Sequence, residues 1–574
     1  MRSWTLAVAA GAVLAFPAAA SAQGDPIMPL QEVEPGMRCT GYSVIRGTEP
    51  EPFDVEIVDV LGDGPGARLL VRVSGPAVDR TGIGAGFSGS PIYCRARDGR
   101  MKNAGAISET IGDFGGKTVL ATPIEEIIAT PVEPPTGDAR ASRAAAPAPR
   151  RPAGARRLSS PLTIGGVRRD IFRALAAAAR RRGIPLLPAS PLQASGPGGR
   201  TLRPGSAVGV GLSSGAVSVG AIGTVAYVDG DRVWAFGHQF DGTGRRSLLL
   251  QDAYVAAVIN NPVQLPEFGG TYKLAGAISD VGTVTSDGFS AVAGRTSALP
   301  ATIPVRVIAQ DLDTGEETTS DVAVVDETDV GNPSGASALA FVAPLAISDA
   351  ATGVLGAQPA RLAGEMCLQL RFRERRKPVR ICNRYVADGA SGGSEEIGNV
   401  VALSAASDAA TVISLVDAYK GRGLHVTELV ARVSMTRGQR QAYMRRLILP
   451  RRVRRGQRVP ARLVVQRVRG RRETVRFRLR IPSTLRTGAR RITLRGRDAD
   501  TGGDLFGTLT IVIGGDDEEV DTEGPRTVDQ LARAIRREQR WDGIRLGKRR
   551  GPRAFRHGRL RIGGRASAVV RVVG

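Results

Sequence analysis

Short runs in which apolar and polar residues alternate, separated by glycine-rich turns, recur along most of the chain. In residues 53–57 and 475–481 every second residue is apolar, which is the pattern of a half-buried strand. Residues 223–228 and 233–238 flank a turn at 229–231 and predict a hairpin that ends at a histidine. A helical pattern is found only at 169–182 and 528–538. The chain is therefore predicted to be mostly β.

Changes in this pattern divide the 574 residues into six parts. They are a cleavable signal peptide at 1–22, a β region at 23–133, an Ala/Pro/Arg-rich linker at 134–161, a second β region at 162–348, one or two basic β-sandwich modules at 349–515, and a tail with a short helix and a strand at 516–574.

A signal peptide is predicted because Arg2 precedes an apolar run that ends in Ala20-Ser21-Ala22, a small-x-small cleavage site. The longest later apolar run, 336–347, contains Pro344 and is shorter than the roughly 20 residues that span a bilayer. After signal cleavage we therefore expect no transmembrane segment, and we expect the protein to be secreted or to lie in the cell envelope.

The four cysteines are Cys39, Cys94, Cys367 and Cys382. An exported protein meets an oxidising compartment, so disulfides are expected. Three connectivities are possible, and we prefer the local one, Cys39 with Cys94 and Cys367 with Cys382. No metal site or cofactor is predicted, because no Cys-x-x-Cys spacing occurs and the chain has three histidines.

The net charge of +24 comes almost entirely from one segment. Between Arg437 and Arg497 there are 22 arginines and a single acid, Glu473. The arginines of 475–481 share one strand face, which is either simply solvated or a surface for an anionic envelope polymer or lipid headgroups. Nucleic acid is not an expected partner, because the compartment is wrong and the segment has almost no aromatic side chains on which bases could stack.

Two segments carry candidate chemistry. In residues 84–93 (GAGFSGSPIY), Ser88 lies between glycines, where a tight turn can expose its hydroxyl. The amides of Gly86 or Phe87 and of Ser88 could converge there as an oxyanion hole. His238 is the only histidine in the first 420 residues, so it is the candidate base for this serine. The same residues also fit a plain turn between strands and a buried core histidine.

The run 79–82 (DRTG) followed by 86–92 (GFSGSPI) resembles the nucleophile segment of the SpoIVB-type serine peptidases, a branch of the trypsin-like clan. Residues 223–227 with Gly237-His238 are similar to that family's strand leading into its catalytic histidine, and 35–44 resembles related exported bacterial proteins. The resemblance covers about residues 28–345. It implies a trypsin-like double β-barrel that acts on a protein or peptide substrate, followed here by β-sandwich accessory modules.

The resemblance also implies roles: Ser88 is the nucleophile, His238 the general base and then acid, and the amides near Gly86 and Ser88 the oxyanion donors. In that family the histidine precedes the serine, whereas here the serine comes first, so the two barrels would be permuted. The family's orienting aspartate falls at Ser74-Gly75, where no acid stands. The third triad member is therefore left open among four acids, Asp79, Asp241, Asp252 and Asp280.

Two functions follow as hypotheses. The first is a secreted serine endopeptidase that cleaves proteins at the cell envelope. The second is a non-catalytic protein that keeps the peptidase scaffold and binds anionic envelope components through its basic β-sandwiches. The paired serine and histidine motifs favour the enzyme, whereas the missing acid and the reversed order favour the binding protein.

Overall fold

The computed structural model of the chain describes residues 24–111, 116–133, 155–157, 161–184, 186–189, 200–260, 270–356, 359, 361–387, 399–421, 423–496, 524–539, 544–547, 554–558 and 560–574. Strands dominate these residues, so the mostly-β prediction is confirmed. The predicted signal peptide at 1–22 and most of the predicted linker at 134–161 lie outside the described residues.

Six strands of the first β region form a closed barrel. They are β1 (Arg38–Val44), β2 (Pro50–Leu61), β3 (Arg68–Ser74), β4 (Pro91–Arg95), β5 (Met101–Ile111) and β6 (Thr118–Pro123). They pair in the order β4-β1-β2-β3-β6-β5, and β5 pairs back with β4. Phe53, Val55 and Ile57 of β2 point into the barrel core, as their alternation predicted. Helix α1 (Ile124–Ile128) follows β6, and β7 (Ala155–Arg157), inside the predicted linker, pairs with β5.

The second β region contains another closed circuit of six strands. Its elements are β8 (Leu162–Gly165), α2 (Arg169–Arg180), β9 (Leu186–Pro188), β10 (Ala207–Gly215), β11 (Ser218–Asp229), β12 (Arg232–Ala235), β13 (Gly244–Ile259), β14 (Tyr272–Asp287) and β15 (Val292–Arg295). The circuit runs β10-β13-β14-β15-β12-β11, and β11 pairs back with β10. The predicted hairpin is the antiparallel pair β11–β12, and the predicted helix at 169–182 is α2.

The sheet that holds this circuit continues well past the predicted boundary at residue 349. The further elements are β16 (Thr302–Asp311), β17 (Glu317–Val325), α3 (Ala338–Gly353), β18 (Leu362–Phe372), β19 (Arg375–Ala387), α4 (Val400–Asp417) and β20 (Val426–Arg437). The strands extend the sheet as β19-β18-β20-β16-β17-β10. Strands β18, β19 and β20 therefore belong to the large sheet and not to a separate basic sandwich.

Helices α3 and α4 pack together in the core above this sheet, and the sequence pattern did not predict either of them. Both are apolar on nearly all sides, so neither shows the one-sided 3.6-residue period by which a surface helix is recognised. The side chain of Asn399 caps α4 by accepting hydrogen bonds from the amides of Val401 and Ala402. By length and composition α4 could cross a membrane, but 61% of it is buried inside the protein.

The basic β-sandwich begins near residue 441. Its strands are β21 (Gln441–Ile448), β22 (Arg452–Arg454), β23 (Arg458–Arg467), β24 (Arg472–Arg480), β25 (Gly488–Arg495), β26 (Arg545–Leu546), β27 (Arg561–Gly563) and β28 (Arg565–Val573). Helix α5 (Val528–Arg537) lies between β25 and β26 in the chain, but it packs against β19 and α4 in the core of the large sheet. The two sheets are β24-β23-β21-β27 and β22-β28-β25-β26. The predicted tail therefore supplies three strands of the sandwich, β26, β27 and β28. The apolar side chains of the alternating strand β28 are buried in the sandwich core.

Both preferred disulfides are present, which confirms the local pairing. Cys39 and Cys94 are directly opposed on β1 and β4, and Cys367 and Cys382 are directly opposed on β18 and β19. Two disulfides are typical of a protein that folds in an oxidising, extracytoplasmic compartment.

Candidate active site

Residues 84–90, which lie between β3 and β4, run from the first barrel onto the second circuit. Ala85 exchanges backbone hydrogen bonds of 2.9 Å with Thr271 and Lys273, and the Thr224 amide donates to the Ser88 carbonyl over 2.8 Å. A methyl group on Gly89 would lie 1.9 Å from the Thr224 carbonyl oxygen. The glycines of this motif are therefore required for the close approach of two backbones.

The hydroxyl of Ser88 is buried and makes no hydrogen bond to any described residue. Gly86, with φ of +92°, precedes it in the left-handed region. The Phe87 amide donates to the Gly84 carbonyl over 3.1 Å. Within the described part of the chain, the amides of Gly86 and Ser88 donate to no acceptor. These two amides are thus the ones that could stabilise an oxyanion.

His238 follows a strained stretch of backbone. Phe236 is fully buried and adopts φ of +71°, and Gly237 adopts +66°. A bulky residue in the left-handed region costs about 1–3 kcal/mol, and such strain clusters at functional sites. His238 is 3% exposed, and its Nδ1 lies 2.7 Å from the Gln239 carbonyl oxygen. When Nδ1–H donates to that carbonyl, Nε2 becomes the basic nitrogen of the ring.

The two motifs meet on the backbone of β5. The Gly89 amide donates to the Ile107 carbonyl over 2.7 Å, and the same oxygen lies 3.0 Å from where a methyl group on Gly237 would be. The Thr122 hydroxyl holds the Gly237 carbonyl over 2.8 Å. The structure therefore brings together the serine and histidine segments, but the Ser88 hydroxyl does not hydrogen bond to the His238 ring.

The four acids that the sequence left open have other partners. Asp79 is exposed and binds Lys117 over 2.8 Å. Asp280 accepts hydrogen bonds from Ser214 and Gln251, and Asp241 pairs with Arg246 over 2.5 Å. Burial raises the pKa of the Asp252 carboxyl, which is the opposite of what a charged orienting group needs. Nδ1 of His238 contacts the Gln239 carbonyl oxygen.

Asp287, which the sequence analysis missed, holds the loop that follows His238. Its carboxyl oxygens accept hydrogen bonds from the amides of Phe240, Asp241 and Gly242 at 2.7, 2.8 and 2.7 Å. Burial, together with the hydrogen bond and charge of Asp241, raises the pKa of Asp287 to about 8. Three converging amides fix the loop at its base.

A second group that the sequence analysis missed is Lys273, which lies near the Ser88 segment. Lys273 of β14 is buried, and its Nζ donates to the hydroxyls of Ser43 at 2.7 Å and Thr224 at 3.2 Å. The ammonium also lies 4.5 Å from the centre of the Phe87 ring. Ser90 Oγ is 2.8 Å from Ser43 Oγ. Burial lowers the pKa of Lys273 to about 7. The sequence feature that could have indicated Lys273 is the rarity of lysine, since only six of the 79 basic residues are lysines.

Other clusters are less suited to chemistry. Glu365, Cys367 and Cys382 have the spacing of metal ligands, but the two sulfurs are bonded to each other and are not thiolates. A cavity of about 590 Å³ lies between the β2–β3 turn and α1, lined in part by Arg68 and Glu126. Neither Ser88 nor His238 lines it.

Comparison with protein-family models, curated proteins and solved structures finds no match for this chain. Its function must therefore be argued from its own residues.

Proposed function

We propose that this chain is a secreted serine acyl hydrolase, a peptidase that acts on proteins at the cell envelope. The observation that carries the proposal is the meeting, at the Ile107 carbonyl, of a glycine-flanked serine and a histidine that follows strained backbone. The two closed six-strand circuits fit the double barrel that the resemblance implies. With the serine on the first circuit and the histidine on the second, the barrels would be permuted relative to that family.

In the proposed reaction, Ser88 Oγ attacks the carbonyl carbon of the substrate, and its proton passes to Nε2 of His238. The amides of Gly86 and Ser88 donate hydrogen bonds to the oxyanion. The protonated ring then gives its proton to the leaving amine, the C–N bond breaks, and water hydrolyses the acyl-enzyme by the same steps in reverse.

The Gln239 carbonyl takes the place of the third triad member in this proposal. It can orient the ring, but a neutral oxygen stabilises an imidazolium less than a carboxylate does. Both side chains are buried, so turnover also requires the substrate to separate the Ser88 segment from the His238 segment. The Ser88 side chain must then rotate toward the His238 ring. We therefore expect slow turnover.

A fluorophosphonate probe with mass-spectrometric mapping of the adduct tests this proposal. We expect an adduct on Ser88 in the folded protein, lost in both Ser88→Ala and His238→Ala. Ser214→Ala, which removes a hydroxyl of the second circuit bound to Asp280, is the matched control and keeps the adduct. Labelling that survives His238→Ala would remove the proposed base, and an adduct on Ser43 would transfer the nucleophile's role to the Ser43–Lys273 pair.

The second candidate is a non-catalytic scaffold protein that binds anionic envelope components. The absence of a hydrogen bond from the buried Ser88 hydroxyl to His238 favours it. A folded protein that never reacts with the probe, even after long incubation at several pH values, would support this candidate over the hydrolase.

A further inference from the structure

The outer face of the sheet β24-β23-β21 is covered with arginines. Burial alternates along β23 and β24, so that every second side chain points outward. The exposed outward arginines, together called the arginine face, are Arg446, Arg458, Arg462, Arg472, Arg476, Arg478 and Arg480.

The strand register sets these arginines directly opposite each other. Arg458 faces Arg480, and Arg462 faces Arg476, across the antiparallel pair β23–β24. Directly opposed side chains have their Cβ atoms about 5 Å apart, and like charges in that arrangement destabilise a sheet. The fold therefore keeps a repulsion that an uncharged polar residue at either position would remove.

No acid compensates this charge within the described residues. None of the seven arginines of the face takes part in an ion pair with a described residue. Glu473, the one acid between residues 437 and 497, lies on the opposite side of β24, where it binds Arg467 at 3.0 Å and approaches His557 at 3.6 Å. Counter-charge must therefore come from solution ions or from a ligand.

We propose that the arginine face binds a linear anionic polysaccharide. The Cβ atoms of neighbouring arginines on the face lie about 5 Å apart across the strands and about 6.7 Å apart along them, so an extended chain with regularly spaced anionic groups can contact several guanidinium groups at once. Guanidinium groups also bind carboxylate, sulfate and phosphate oxygens in a bidentate manner.

The surroundings of the face argue against a bilayer and against nucleic acid. The exposed large hydrophobic residues of the described chain are Met101, Leu299, Leu312 and Val569, and none lies on this face. Membrane-surface elements usually pair basic residues with such apolar anchors. The one aromatic residue of β24, Phe477, stacks on Phe555 with ring centroids 4.5 Å apart, on the inward side. It cannot serve as a platform for bases.

This proposal would give the non-catalytic candidate its ligand, and its failure leaves the acyl hydrolase proposal untouched. The test titrates the full chain with a size-defined heparin oligosaccharide between 50 and 200 mM salt. We compare Arg458/Arg462/Arg476→Gln on the face with the matched Arg491/Arg565/Arg571→Gln, three exposed arginines on the other sheet. Both triple variants lower the net charge equally.

We expect the face variant to bind at least about tenfold more weakly at 50 mM salt, with its slope of log affinity against log salt reduced by about 2 to 3. The matched variant should change affinity less than about threefold. The face variant should also melt higher than the natural chain at low salt, and the difference should vanish at about 0.5 M salt.

Equal losses in the two variants would show that net charge alone binds heparin and overturn the proposal. Tighter binding to phosphatidylglycerol vesicles than to heparin, lost in the face variant, would assign the surface to a membrane instead.

Discussion

The second circuit buries two cations beside the candidate site and accommodates them in opposite ways. On the His238 side, Arg246 makes two hydrogen bonds of 2.9 Å to Glu327 and one of 2.5 Å to Asp241. On the Ser88 side, Lys273 meets two hydroxyls and the face of an aromatic ring. One cation is neutralised by carboxylates, whereas the other is solvated by neutral groups.

This difference decides which charge is permanent. Although burial opposes the charge, Asp241 and Glu327 raise the pKa of Arg246 further above its ordinary value, so it stays protonated. Burial lowers the pKa of Lys273 to about 7, because hydroxyl dipoles compensate an ammonium less than a carboxylate does. Arg246, on the His238 side, is therefore a fixed charge, whereas the serine segment contacts a group that can lose its proton near neutral pH.

The largest effect is expected from Arg246→Met. Removing the guanidinium leaves Glu327 and Asp241 buried or half-buried without their cation, and breaking a buried ion pair from one side costs about 3–5 kcal/mol. Urea unfolding at pH 7 should show that loss. The control is Arg306→Met, which breaks an exposed pair with Asp321 and should lower the free energy of unfolding far less. Equal losses in the two variants would show that the Arg246 cluster is no stronger than a surface pair.

The sequence correctly predicted the elements that show a local pattern of alternating or periodic apolar residues. The alternation in 53–57 and 475–481, the hairpin before His238 and helices α2 and α5 were all found where expected. Helices α3 and α4 were not predicted, because a helix buried on all sides has no polar face to mark its period.

The site was predicted only in part, for a related reason. Ser88, Gly86 and His238 stand out by residue type and neighbours, so the sequence could indicate them. Lys273 lies 230 residues from Ser43 in the sequence, and only the contact between the first barrel and the second circuit brings Nζ within 2.7 Å of Ser43 Oγ. Asp287 is likewise one acid among 55 until its strand places it under the His238 loop. Long-range contacts of this kind leave no periodic signal in a single sequence.

The next largest effect is a pH dependence that Lys273→Met should remove. The pKa of Lys273 is about 7 in the folded chain and 10.5 in an unfolded one, so between these values the unfolded state binds more protons. The free energy of unfolding of the natural chain therefore rises with pH in that window, by up to about 1.4 kcal/mol per pH unit. Compared with Lys273→Met, the natural chain is least stable below pH 7. Urea unfolding from pH 6 to 9 measures it.

The matched control for this slope is Lys117→Met, which removes an exposed lysine that is hydrated in both states. The difference in unfolding free energy between the natural chain and Lys273→Met should grow with pH, and the difference for Lys117→Met should not. Parallel profiles for all three proteins would mean that Lys273 keeps its proton as firmly as Arg246 does, and the contrast between the two cations would disappear.

The smallest effect is expected from Ser43→Ala, and it tests whether hydroxyls are what solvate the buried ammonium. Ser43 supplies the shortest hydrogen bond to Lys273, and a hydrogen bond to a charged group contributes about 1.5–3 kcal/mol, against about 1 kcal/mol for a neutral pair. The variant should therefore lose about 1–2 kcal/mol of unfolding free energy at pH 6, where the amine is charged, and less at pH 9, where it is neutral.

Ser213→Ala is the control, because this buried hydroxyl donates to the Val217 carbonyl and accepts from the Val219 amide, with no ionisable partner. Its cost should be the same at both pH values. If Ser43→Ala also costs the same at pH 6 and pH 9, the ammonium is stabilised chiefly by Thr224 and the Phe87 ring, and the serine contributes only packing.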